Sequence, residues 1–124
     1  MKVRDRAALL LHIACAGCAV GSTSLERAER KGDAAFVGTR LEHPREGSLA
    51  AERLVAMASR GHVEAQAVLK NRLAVLPKGA VQGRLDDQVA SALARREPGI
   101  VDLVAQMAQD ERVPFRQASL RFAR

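Results

Sequence analysis

The sequence predicts an all-α protein, with antiparallel helix pairs stacked as a short α-solenoid or packed as a small helical bundle. Composition is the first reason. Of 124 residues 48% are hydrophobic, yet Trp and Tyr are absent and the only aromatics are Phe36, Phe115 and Phe122. A core of this kind rests on Ala, Leu and Val, and Ala and Leu are strong helix formers. Strands lean instead on β-branched and aromatic residues. Spacing is the second reason. Ala65, Leu69, Leu73 and Leu76 recur on one helical face, as do Leu85, Val89 and Leu93. Third, no stretch alternates apolar and polar residues long enough to read as a strand.

The elements follow in order. Thr23 stands three residues before Glu26, a capping-box spacing, and opens a helix over about 24–31. Gly32 closes it, as Gly commonly closes helices. Asp33 caps a second helix through about Leu41. The run His43-Pro44-Arg45-Glu46-Gly47 breaks the chain, because Pro and Gly both interrupt helices. Ser48 is the expected N-cap of a helix from Leu49 to Arg60, ended by Gly61. A helix over about 63–76 stops at Pro77. Another spans about 81–96 and is broken by Pro98-Gly99. Ile100, Leu103, Val104 and Met107 line the next, to about Glu111. A last short helix follows Pro114, with Phe115, Ala118 and Phe122 on one side.

The start of the chain reads as an export signal. Lys2, Arg4 and Arg6 precede the apolar run from Ala7 to Cys18, and Gly21-Ser22-Thr23-Ser24 follows it. A basic start, a short apolar stretch and then small residues is the pattern of a secretory signal peptide. The run is too short to span a bilayer, which takes about 20 apolar residues. Asp5 and His12 depart from the pattern. Ala14-Cys15-Ala16 fits ordinary small-x-small cleavage. Cys15-Ala16-Gly17-Cys18 resembles the bacterial lipoprotein box, with Cys15 where Leu is usual. That resemblance implies a signal peptide over 1–17, a mature domain over 18–124, and lipid on Cys18. Ala19, which is not Asp, implies outer-membrane sorting. Lipidation at Cys18, simple cleavage and an uncleaved cytosolic helix all remain open at this point. The Cys15/Cys18 spacing also fits redox or zinc chemistry, but no strand precedes it and no further Cys supplies a second pair. Haem attachment would need His after Cys18, where Ala19 stands.

A repeat runs through the rest. Three times a helix ends in basic residues before a Gly and a new helix: Arg30-Lys31-Gly32, Ser59-Arg60-Gly61 and Arg95-Arg96-Glu97-Pro98-Gly99. Gly supplies the left-handed residue that folds two helices into an antiparallel pair. The segment Ala56-Met57-Ala58-Ser59-Arg60-Gly61-His62-Val63-Glu64-Ala65-Gln66-Ala67-Val68-Leu69 resembles the Sel-one-like repeat, a relative of the tetratricopeptide repeat. Gly61, Ala65, Gln66 and Leu69 match that motif in register. The copies at Gly32 and Gly99 match less, with Phe36 in place of Ala in the former, and the family's Leu-Gly-x-x-Tyr ending is absent. With three copies the resemblance covers about 24–110; with one, about 49–76. It implies a scaffold for protein–protein contact, built of stacked pairs, with partner-facing Arg53, Arg60 and Gln66 on its concave face.

Catalytic patterns are missing. The sequence has no HExxH, no phosphate-binding Gly-rich loop and no nucleophile elbow. His12 falls in the leader, His43 in a loop before Pro44, and His62 reads as a surface turn residue. Asp86 and Asp87 are adjacent, so they diverge by about 100° on a helix, and they read as favouring its early turns through the dipole. The expectation is therefore a protein that is not an enzyme, with no cofactor and no metal site. It is expected in the cell envelope, as an outer-membrane lipoprotein or in the periplasm, bound to an envelope protein of unknown identity, with contact to the membrane through the lipid anchor.

The alternative is a cytosolic basic helical protein that binds nucleic acid. Its motive is the net charge of +6 and the C-terminal Arg112, Arg116, Arg121 and Arg124 near Phe115 and Phe122. Charge bears on partners rather than on fold. The basic residues interleave with acids, and base-stacking aromatics are scarce. Without residues 1–17 the chain holds 17 basic residues against 13 acids, a charge of +4.

Overall fold

In a computed structural model of the chain, residues 24–75 and 79–122 are described. The leader, the Thr23 cap, Cys18 and Arg124 lie outside them. Seven helices appear, and no strand is present among the described residues. They are α1 (24–31), α2 (Ala34–Thr39), α3 (Gly47–Ser59), α4 (Val63–Val75), α5 (Ala80–Ala94), α6 (Pro98–Ala108) and α7 (Val113–Leu120).

Three tight turns make three antiparallel pairs: α1 with α2, α3 with α4, and α5 with α6. Each turn is built alike. Gly32 N–H donates to Glu29 O at 3.1 Å and Asp33 N–H to Ala28 O at 2.8 Å. Gly61 N–H donates to Ala58 O at 3.0 Å and His62 N–H to Met57 O at 3.1 Å. Arg96 N–H donates to Leu93 O at 2.9 Å and Glu97 N–H to Ala92 O at 3.1 Å. This pair of bonds is the Schellman motif, which satisfies the orphan carbonyls of a helix end. It requires a left-handed residue, and φ is +75° at Gly32, +88° at Gly61 and +57° at Arg96.

The residue after each left-handed one then starts the next helix. Asp33 Oδ1 accepts from Phe36 N–H at 3.1 Å, and His62 Nδ1 accepts from Ala65 N–H at 3.1 Å. The third turn uses Glu97, with no side-chain cap, followed by Pro98. Proline costs nothing there, because a first-turn N–H has no intrahelical partner. His62 is thus a capping residue, rather than the plain surface turn residue its sequence suggests.

The same positions fill the core beneath each turn. Four and seven residues before the left-handed residue stand Ala28 and Leu25, then Met57 and Leu54, then Ala92 and Val89, all buried. They join Leu69, Leu73, Ile100, Leu103, Met107 and Phe115 in one continuous cluster. α3 sits centrally, against α2, α4, α5 and α6. α7 folds back on α4 and α6.

Several sequence expectations shift. The third repeated turn is set at Arg96, and Gly99 lies within α6, not at the break. A Cβ on Gly99 would meet the carbonyl oxygens of Ala58 and Ser59, so Gly99 is there for close approach of α6 to the end of α3. α3 begins at Gly47, one residue before Ser48, the expected N-cap. His43 Nδ1 instead accepts from Arg45 N–H and Glu46 N–H, both at 3.1 Å. Neither Asp86 nor Asp87 falls in the first turn of α5, and Asp86 pairs with Arg121 at 3.0 Å.

Candidate partner groove

Stacking the pairs lays α3 beside α5, and a groove of about 400 Å³ opens between them. Its walls are Glu52, Val55, Ala56, Ser59 and Arg60 from the α3 side, and Gln88, Arg95, Glu97 and Pro98 from the α5 side. Val55 is buried, whereas Glu52, Arg60 and Arg95 are exposed. One apolar side chain, Val55, is therefore buried at the base, and charged side chains stand exposed around it.

The helix ends explain the charges. Cations are favoured beside the last carbonyls of a helix, where the dipole is negative. Arg60 is the C-cap of α3 and Arg95 the C-cap of α5. Because the turns stack side by side, these caps meet at one end of the groove. Each pairs with an acid. Glu29 of α1 pairs with Arg60 at 3.0 Å and with Arg53 at 3.4 Å. Glu97 pairs with Arg95 at 2.6 Å. The Ser59 hydroxyl beside Glu97, and then Arg95, hold its carboxyl below the ordinary carboxylate range. Glu97 is thus an anion at neutral pH.

Of the three partner-facing candidates, the structure brings Arg53 and Arg60 together at Glu29. Gln66 is elsewhere. Its Nε2 donates to Ala58 O at 3.1 Å and to Gly99 O at 3.5 Å, tying the end of α3 to the start of α6. The side chain that matched the repeat motif is spent inside the fold, and only Arg60 of the three lines the groove. Glu52, Gln88, Arg95 and Glu97 escaped the sequence reading. The basic residue before each turn was a usable signal for Arg95. Nothing in the sequence marked Gln88, which matters only because α5 lies beside α3.

Arg112, Arg116 and Arg121 of the C-terminal arginines are engaged within the fold. Arg112 donates to Asp110 at 2.9 and 3.0 Å and stacks 4.1 Å from the centre of the Phe115 ring. Arg116 donates to Glu111 O at 3.1 Å. Arg121 donates to Asp86 at 3.0 Å and to Leu73 O at 2.9 Å. Among the described residues, no group of three His, Cys, Asp or Glu side chains could hold a metal ion. No helix there is long and apolar enough to cross a membrane.

No protein-family model matches this chain, and no curated protein or solved structure matches it either.

Proposed function

We propose that this chain is a non-catalytic helical-repeat adaptor of the bacterial cell envelope, exported by a leader over 1–17, anchored by lipid on Cys18, and serving protein–protein contact. The observation that carries the adaptor reading is the threefold Schellman turn at Gly32, Gly61 and Arg96. Repetition of one turn is how a solenoid builds a continuous surface from equivalent helices, and here it produces the groove between α3 and α5. Support for the anchor comes from the Ala16-Gly17-Cys18 box after a basic and apolar start.

Two measurements test the two halves. In a bacterial host grown with labelled palmitate, the chain takes up label and Cys18→Ala abolishes it. Unlabelled chain of full mass in the cytosol removes the export half and brings the nucleic-acid reading forward. A photo-crosslinking residue at Gln88, in the groove, captures a discrete partner, while one at the exposed Val101 on α6 does not. Equal capture from both positions removes the adaptor half.

A further inference from the structure

The left-handed residue that sets each turn gives the helix pairs a common register. Val55 and Ala58 stand six and three residues before Gly61, and Ala90 and Leu93 stand six and three before Arg96. In the second pair these positions are buried, where α5 and α6 pack on α3. In the third pair the same positions are apolar but uncovered: Ala90 is exposed and Leu93 half-buried. α6 repeats the pattern. Gln66, five residues after Gly61, ties the second pair to the third at Gly99 O, and its counterpart five after Arg96 is Val101, 41% exposed. α7 leaves this face open, because it folds on α4 and α6. A groove of about 370 Å³ remains between Ala90, Leu93 and Ala94 on one side and Arg121 and Phe122 on the other. Stacked repeats ordinarily end on a polar outer face, which keeps the end pair soluble. This stack ends instead on the surface by which its second pair receives a neighbour.

Two observations say which neighbour. The opposite end of the stack does not fit there. Its outer side carries Arg27, Lys31 and Asp33, all exposed. It also has Ala35 three residues after Gly32, in the place where Gly99 follows Arg96 and lets α6 touch the carbonyls of α3. Copies therefore do not stack head to tail. The second observation is a symmetric charge pattern on α5. Asp87 stands four residues before Ser91 and Arg95 four after, and all three are exposed. Residues four apart share one side of a helix. Two α5 helices crossing antiparallel at Ser91 set each Asp87 against the other copy's Arg95, and the small Ala90 and Ala94 let the helices approach. Arg95 gives its Nε–H to Glu97. A guanidinium has five N–H donors, so its terminal nitrogens can still meet a carboxylate.

We propose that the outer face of the α5–α6 pair binds a second copy of this chain, across a twofold axis at Ser91. A twofold contact uses the same patch on both copies and closes at two, whereas a head-to-tail contact would run on. The dimer goes beyond the adaptor reading and is independent of it. A crosslinker at Val101 then joins two copies of this chain, a product told by its mass from the different protein captured at Gln88.

Sedimentation equilibrium of the full chain in density-matched detergent counts chains per particle. The expected count is two. Ala94→Arg, which puts a long cation on the exposed face, returns single chains and keeps the helical circular-dichroism spectrum. Asp87→Arg and Arg95→Asp each weaken association about fivefold, through loss of an exposed pair and a new like-charge contact. The double variant restores the parent's association, which a folding defect cannot do. Single chains in the parent, a dimer that survives Ala94→Arg, a double variant as weak as either single one, or assemblies that grow past two overturn the proposal.

Discussion

Gly61 and Gly99 are both glycine for different physical reasons. At Gly61, φ is +88° and a Cβ would meet nothing within 4 Å. Only backbone preference is at stake. At Gly99 the backbone is helical, and a Cβ would press on backbone carbonyls of Ala58 and Ser59, the latter at 2.5 Å. Backbone cannot swing aside as a flexible side chain can. Gly61→Ala is therefore expected to lower stability by about 1 kcal/mol. Gly99→Ala should cost about 3 kcal/mol, the upper range for overpacking, because α6 must back away from α3 and loosen the Gln66 bond to Gly99 O. Thermal unfolding followed by circular dichroism ranks the two. A Gly99→Ala protein as stable as Gly61→Ala would refute the close-approach account.

α7 shows how a short element is held by side chains rather than by its own propensity. Eight residues make a helix too short to stand alone in water. Phe115 buries its ring in the core, between Arg112 at 4.1 Å and Lys70 of α4 at 5.2 Å from its centre. Asp110 ties the same two cations, to Lys70 at 3.3 Å and Arg112 at 2.9 Å. The Arg112 side chain, then its backbone N–H, hold the Asp110 carboxyl far below its ordinary value of 3.8. A carboxyl depressed in the folded state stabilises the fold above its unfolded value and loses that effect as pH falls toward the folded one. Asp110→Asn should therefore lower the melting temperature at pH 7, and the gap to the parent should close in acid below the ordinary aspartate range. A gap that stays constant down to strong acid would show that shape, not charge, makes the link.

The described residues share one core, and α3 runs through its middle. Leu54 is 0% exposed and lies seven residues before the Gly61 turn, the position held by Leu25 and Val89 in the other pairs. Its removal reaches every pair at once. Leu54→Ala should cost about 3 kcal/mol, typical of a buried leucine, against a total of about 5–15 kcal/mol for a domain. Unfolding should stay a single transition, with amide exchange accelerated in α1 through α7 alike. Protection lost in α3 and α4 alone would mean that the pairs fold independently, and the stack would then be three units rather than one.

Much of the fold was legible because its punctuation is local. Gly32, Asp33, Gly61 and Pro98 act on the backbone within a few residues, so helix number, order and approximate ends follow from the sequence. So does the all-α class, since a core of Ala, Leu and Val at helical spacing has few other ways to bury itself. Tertiary structure alone decided the rest. His43 tied the turn before α3, His62 became a cap, Gly99 became a contact point, Gln66 became an internal tie, and Asp86 found Arg121 35 residues away. The groove belongs to the same class: Glu52 and Gln88 line one surface only because α3 and α5 lie side by side. Local sequence determines where a helix starts and stops through bonds that span three to five residues. Which side chains meet across the stack depends on how whole helices pack, and no short pattern records that.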